Sequence, residues 1–148
     1  MPHGPQAGSV ALLDERGNVV WERQMWEPHS IIAPDGSYVV VQGAARKLRE
    51  EEEPEEPDVV TSLVDRTGKT LVVARLPKIS PPWFVSTDSK LIVFHEYIAG
   101  HWWLVVRDRS LNAVSRTRDV PNFGPCHSDS GLIVVGENNT LRAYRLPG

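Results

Sequence analysis

Two short segments of the chain contain residue types that can bind metals or act as nucleophiles. His95, Glu96 and His101 flank a turn at Ala99-Gly100, so a hairpin could place them close together. Imidazole and carboxylate groups are ligands that zinc and copper accept. Because neighbouring strand residues point to opposite faces and no fourth ligand is evident, we expect structural or surface histidines here. We predict no bound metal and no other cofactor.

The Cys-His pair that starts at Cys126 contains a thiol and an imidazole, but adjacent strand residues cannot form a working nucleophile–base pair. We therefore interpret Cys126 as a small core residue. The sequence has no G-x-S-x-G nucleophile elbow and no glycine-rich phosphate loop. The enzyme alternative thus requires His95, Glu96, His101 and Asp108 to converge in one pocket.

Tryptophan side chains supply a second kind of candidate, for binding and not for catalysis. Trp26 lies in the segment QMWEPH beside His29, and exposed aromatic rings are favoured anchors for protein partners and sugars. Trp102 and Trp103 must face opposite sides of one strand, so at least one is expected near a surface or a subunit contact. We predict that Trp26, His29 and Trp102 bind a partner.

An acidic insertion covers residues 43–58, GAARKLREEEEPEEPD. Such a run is typical of a solvated loop held open by the repulsion between its own charges. The alternative is a docking element for a basic partner, in which Glu51, Glu52 and Glu53 make the contacts. Adjacent glutamates lack the ligand spacing of a calcium loop.

Composition places the chain among ordinary globular proteins. It has 148 residues, 41% of them hydrophobic and 24% charged, which suits a single domain over residues 1–148. The net charge of −3 predicts no attraction to nucleic acid, and no apolar run is long enough to span a membrane. The single cysteine and the absence of a signal sequence favour the cytoplasm, although a chain trimmed of its signal peptide would look the same.

Aligning the repeated turns of the chain places aspartates in two columns, and each aspartate of the first column pairs with one of the second. The two members of a pair lie 21, 23 and 21 residues apart along the chain. The first column marks turns of the type DERGN, and the second marks turns of the type PDGS. The pairs are Asp14 with Asp35, Asp65 with Asp88, and Asp108 with Asp129.

Short runs rich in Val, Ile, Tyr and Trp lie between these turns, as expected for strands. We predict three four-stranded antiparallel units, at about 9–43, 58–96 and 101–137, and an extra strand at 140–146.

These turns resemble those of known repeat folds. APDGSYVVVQG is similar to the hairpin of TolB-like and WD40-like β-propeller blades, and LLDERGNVVWER resembles the turn of quinoprotein (PQQ-like) blades. The resemblance extends over most of the chain, although the first unit carries the best match. It implies an all-β, β-propeller-like fold.

Three units fall short of the four to eight blades of a typical propeller. We therefore expect a half-ring completed by a second chain, as a homodimer, or a fragment of a longer ring. A β-trefoil is the alternative fold.

This scaffold predicts a non-catalytic interaction module that binds a protein partner, and no nucleic acid or membrane. Two alternatives stay open. One is a small enzyme, or an accessory domain of an enzyme, with a site at the ring centre or the dimer seam. The other is a repeat protein that binds a small ligand or a carbohydrate.

Overall fold

The computed structural model describes residues 7–44, 59–76, 80–120, 126–127, 132–137 and 140–147. Every helix or strand assigned to these residues is a β-strand, and all their strand pairings are antiparallel, which confirms the predicted all-β class. The chain separates into two compact units. Unit 1 comprises Met1–Ile32 and Gly36–Lys78, and unit 2 comprises Ala33–Asp35 and Ile79–Gly148.

Unit 1 contains one sheet of five strands in sequence order. The strands are β1 (Ala7–Leu13), β2 (Val19–Ile32), β3 (Tyr38–Ala44), β4 (Val59–Asp65) and β5 (Thr70–Ala74). The long strand β2 pairs with β1 through its first half and with β3 through its second half. The β1–β2 hairpin also packs on one face of the sheet. The core there consists of Trp21, Val39, Val41 and Val64, with Val10, Leu12 and Met25 against it.

Unit 2 contains two sheets. The first has four strands, β6 (Pro82–Val85), β7 (Ile92–Ile98), β8 (His101–Arg107) and β9 (Ala113–Arg118). The second has three, β10 (Cys126–His127), β11 (Leu132–Glu137) and β12 (Thr140–Arg145). The core of unit 2 joins these sheets, because Ile133 of β11 is buried with Val93, Leu104 and Val106.

The sheets do not follow the boundaries predicted for the three units. Strand β3 pairs with β4 across the acidic insertion, and β7 pairs with β8 across the Ala99-Gly100 turn, so both boundaries fall inside a sheet. The sheets end instead at the connections 75–81 and 119–125, which are rich in proline. Proline cannot donate to a ladder and so favours a break there, whereas a long loop between paired strands costs little. The described residues show no closed propeller ring.

The three turns of the first aspartate column have the same geometry. In each, the aspartate N–H donates to the carbonyl four residues later, and its Oδ1 accepts the amides two and four residues later. The fourth turn position takes a left-handed conformation, with φ of 85° at Gly17, 92° at Gly68 and 66° at Leu111. Glycine suits this position, whereas Leu111 holds it with a buried side chain.

Turns of the second column also correspond, at Asp35-Gly36 and Asp88-Ser89. The residue after each aspartate has positive φ, 71° and 60° respectively. Asp129 lies outside the described residues.

Two four-stranded groups therefore share one register. We call residues 29–32 with β3, β4 and β5 block 1, and β6 to β9 block 2. Their central pairs match, with Val39 opposite Val64 in block 1 and Ile92 opposite Arg107 in block 2. A bulge follows Leu63 in block 1 and Val106 in block 2.

Candidate functional site

One candidate binding surface near a predicted binding residue lies on unit 1. It is an open depression of about 390 Å³ on the sheet face next to the β1–β2 hairpin. Its apolar lining comes from Met25, Val41, Gly43, Ala44 and Val60, and its polar lining from Arg23, Gln24 and Ser62.

Glycine at position 43 allows the Met25 side chain to pack directly against strand β3 in this depression. A Cβ atom built at Gly43 would lie 2.5 Å from Sδ of Met25, so any side chain there would displace Met25. Arg23 forms part of the wall and is held by its Nη2, which donates to the Gly68 carbonyl at 2.9 Å and to Thr70 Oγ1 at 2.6 Å. Both acceptors are neutral, so the guanidinium brings positive charge to the wall.

Trp26 and His29 lie beside this depression, in the part of β2 that changes partner. Trp26 pairs with both Ala7 and Ala44, and a bulge separates it from His29. The Trp26 side chain is half-buried and His29 is exposed. The third group of predicted contacts, Glu51, Glu52 and Glu53, lies outside the described residues.

His95 lies in a stack of aromatic rings in block 2. Its ring centroid is 4.4 Å from that of Trp83, with 20° between the ring planes, and 4.4 Å from that of Trp102, with 5° between the planes. The imidazole is fully buried. This places a titratable group where water cannot solvate its charge.

Hydrogen bonding defines the tautomer of His95. Nε2 lies 2.7 Å from the Val120 carbonyl oxygen, which can only accept, so Nε2 carries the proton. Nδ1 is buried and has no hydrogen-bond partner in the described structure. Burial lowers the pKa of His95, and the hydrogen bond to Val120 opposes that shift only in part. The residue is therefore held neutral.

Glu96 points to the opposite face of β7 and forms a buried ion pair with Arg107. Nη2 of Arg107 donates to Oε1 at 2.9 Å and Nε donates to Oε2 at 3.0 Å. Nη1 donates to the Leu111 carbonyl at 2.9 Å. The carboxylate is fully buried and the guanidinium nearly so. Because the carboxylate accepts two hydrogen bonds and the guanidinium donates three, this pair can persist without water.

His101 lies apart from His95 and from the Glu96–Arg107 ion pair. Its exposed Nδ1 lies 3.0 Å from Oδ1 of Asp119. Asp108 uses its carboxylate in the β8–β9 turn. Among the described residues no three His, Cys, Asp or Glu side chains come together as metal ligands. The structure thus does not bring His95, Glu96 and His101 into one ligand set, and the convergence required by the enzyme alternative is not found in this part of the chain.

The Trp102 side chain is half-buried and its ring contacts two other rings. One is the imidazole of His95, and the other is the phenol of Tyr97, whose ring centroid is 5.1 Å away at a tilt of 58°. Tyr97 is 42% exposed, so this end of the stack borders solvent. Trp103 buries its Nε1 with no described hydrogen-bond partner. The Cys126 side chain lies outside the described part of the structure.

Sequence reasoning missed three contributors to these sites. They are Trp83 of the aromatic stack, Arg107 of the buried ion pair and Gly43 of the depression. A usable signal existed for Arg107. It lies one residue before the turn aspartate, where block 1 has the buried Val64, so an inward direction could have been inferred.

Comparison with known proteins adds no family assignment. A scan against protein-family models finds no match, and a search of curated proteins finds none either. The described residues include no helix long and apolar enough to cross a bilayer. The absence of nucleic-acid binding and the cytoplasmic location stay predictions.

Proposed function

We propose that the chain is a non-catalytic, β-propeller-like interaction module that binds a protein partner in the depression beside Trp26. The observation that carries this proposal is the lining of the depression. Its described residues combine an apolar floor with one cation and offer no carboxylate, imidazole or thiol for acid–base chemistry. The recurring turns and the shared register of the two blocks support the propeller-like arrangement over the trefoil.

The lining also indicates the chemistry of the partner. Met25 is flexible and polarisable, so it can adapt to different apolar side chains. Arg23 favours a carboxylate at the wall. The partner segment is therefore a short stretch with an apolar side chain next to an acidic one. Trp26 and His29 extend the contact surface at the rim.

Selection from a displayed random peptide library tests this proposal. Selected peptides should combine an apolar and an acidic residue, and a Ser62→Trp substitution, which fills the depression, should weaken their binding at least tenfold. Trp26→Ala should weaken it less. The control is Ser115→Trp, because Ser115 is also a half-buried strand serine but lies in block 2. Equal binding to wild type and Ser62→Trp, or no enrichment of peptides, would contradict the proposal.

The Tyr97–Trp102 pair favours a second candidate, binding of a carbohydrate. Sugar rings stack on exposed aromatic faces, and His101 and Asp119 offer polar groups nearby. A glycan array should then show a signal that Tyr97→Ala abolishes and that Leu141→Ala, at an exposed residue of β12, retains. An array with no signal would eliminate this candidate.

A further inference from the structure

Strand β1 has an edge with no described neighbour. It is the first strand of its sheet and pairs only with β2. The Asp14 N–H donates to the Asn18 carbonyl, so the amides of even-numbered β1 residues point toward β2. The bulge near Leu12 inserts its extra residue, Val20, on the β2 side and leaves this alternation intact. The amides of Ser9, Ala11 and Leu13 therefore point away from the sheet.

This edge lacks the features that usually prevent pairing with another chain. Proteins protect outer strands with prolines or charged residues. The span Ala7–Leu13 contains neither. By contrast, β6 begins with Pro82, β9 carries Arg116 and Arg118, and β12 carries Arg142 and Arg145. Ser9, Ala11 and Leu13 are exposed on the same face of β1.

Charge distinguishes β1 from β5, which is the other outer strand of the same sheet and also has no charged residue within its bounds. If two copies of β5 paired antiparallel about Val72, Lys69 of one copy would lie opposite Arg75 of the other. Like charges directly opposite each other are destabilising. If two copies of β1 paired about Val10, Ser9 would lie opposite Ala11 and Ala7 opposite Leu13 of the second copy. No like charges meet in that arrangement.

We propose that two copies of this chain associate by antiparallel pairing of their β1 strands across a two-fold axis. The amides of Ser9, Ala11 and Leu13 donate to the second copy, and two five-stranded sheets become one sheet of ten strands. The exposed side chains of Leu13 and Val19 add apolar contact at each end. Because the interface is small, the association is weak and depends on concentration. This proposal deepens the homodimer prediction and does not depend on the depression.

Sedimentation velocity from low micromolar to near-millimolar concentration tests it. The mass of the wild type should rise from 16.5 kDa toward twice that value. Ala11→Pro should stay monomeric, because it removes an outward amide without touching the β1–β2 ladder. Ala11→Lys, which leaves the backbone unchanged, should also stay monomeric. Val73→Pro is the matched control, since it places proline on the open edge of β5, and should still dimerise.

Hydrogen exchange supplies the second measurement. The amides of Ser9, Ala11 and Leu13 should exchange at least tenfold more slowly at high concentration, whereas the amide of Val73 should not change. Circular dichroism confirms that each variant is folded. A monomeric wild type at all concentrations would overturn the proposal. So would a dimer that survives both Ala11 substitutions, or one that is lost in Val73→Pro. Loss in Leu141→Lys, which adds the same charge as Ala11→Lys at an exposed residue of β12, would also overturn it. The peptide-binding experiment reports on the depression separately, because Ser62 is not on β1.

Discussion

Block 1 and block 2 share a register but enclose different chemistry. Gln42 lies seven residues after Asp35, and His95 lies seven residues after Asp88. Gln42 is buried and its Nε2 donates to Thr61 Oγ1 at 2.9 Å, which is an ordinary neutral hydrogen bond. His95 at the matching position is a titratable ring between two indoles.

The ion pair gives a second contrast at matching positions. Gly43 and Val64 of block 1 correspond to Glu96 and Arg107 of block 2. Gly43 leaves space for Met25 in the depression, whereas the charged pair fills its site and stacks Arg107 over Phe94 at 5.9 Å. One backbone register thus accommodates an open depression in one block and a closed polar interior in the other. The difference lies in the side chains and not in the strand order.

Breaking the ion pair should produce the largest effect. Glu96→Leu leaves the Arg107 guanidinium buried without its partner, and we expect a loss of about 3–5 kcal/mol in the free energy of unfolding by urea. The matched change in block 1, Thr61→Val, removes one neutral hydrogen bond and should cost about 1–2 kcal/mol. Adding Arg107→Met to Glu96→Leu should recover part of the loss. Equal costs for Glu96→Leu and Thr61→Val would contradict the assigned difference between the blocks.

Substitution of the turn glycines should have the next largest effect. Gly68 has φ of 92°, and an added Cβ would lie 3.2 Å from the Trp21 Cβ. Gly17 has φ of 85° with open space around it. Gly17→Ala should cost about 1–2 kcal/mol from backbone strain alone, and Gly68→Ala should cost more, because Trp21 must also move. Thermal denaturation of both variants measures the difference. A smaller loss for Gly68→Ala would show that Trp21 does not pack on this turn.

His95 should make unfolding depend on pH in a way that Gln42, at the matching position of block 1, cannot. Because the folded-state pKa of His95 is lowered, its contribution to stability is complete above the unfolded value of 6.5 and is lost as pH falls toward the folded-state pKa. The slope should reach at most about 1.4 kcal/mol per pH unit. His95→Gln, which installs the block 1 residue, should remove this slope, whereas His29→Gln should keep it. An unchanged slope in His95→Gln would contradict a neutral, buried imidazole.

The turn carboxylates should have the smallest effect on stability. The direction of their pKa shift should be the same in both blocks. The Thr67 hydroxyl hydrogen bond lowers the pKa of Asp65, and the Ser86 hydroxyl hydrogen bond lowers the pKa of Asp88. Both should titrate below 3.8 in a carbon NMR titration, so their stabilisation disappears only in acid, as the pH falls through these folded-state values. Thr67→Val should raise the pKa of Asp65 and leave that of Asp88 unchanged. A pKa at or above 3.8 for either residue would show that its turn is not formed.

Local sequence signals predicted the strands well, because β-branched residues and turn residues alternate along the chain. They do not indicate that β2 continues through residues 27–29, because proline usually interrupts a strand. Pro28 lies in the bulge between Trp26 and His29, where no ladder donor is needed, so the strand continues past it. The sequence also did not indicate which strands belong to the same sheet, because the hairpins inside the predicted units and those between them look alike in sequence.

The candidate sites were harder to predict than the strands. The depression depends on Gly43 and Met25 meeting across two strands, which only the register reveals. The Glu96–Arg107 pair depends on two residues of neighbouring strands that do not lie directly opposite each other. Trp26 and Trp102 could be named from residue type, because aromatic side chains are informative wherever they lie. Their neighbours could not, because those contacts are set by tertiary packing.

Backbone NMR contacts between strands test the shared register most directly. We predict cross-strand proton contacts for Val39–Val64 in block 1 and Ile92–Arg107 in block 2, with a shift of register after Leu63 and after Val106. Contacts displaced by one residue in either block would move Glu96, His95 or Gln42 to the other face, and would contradict the comparison on which this account depends.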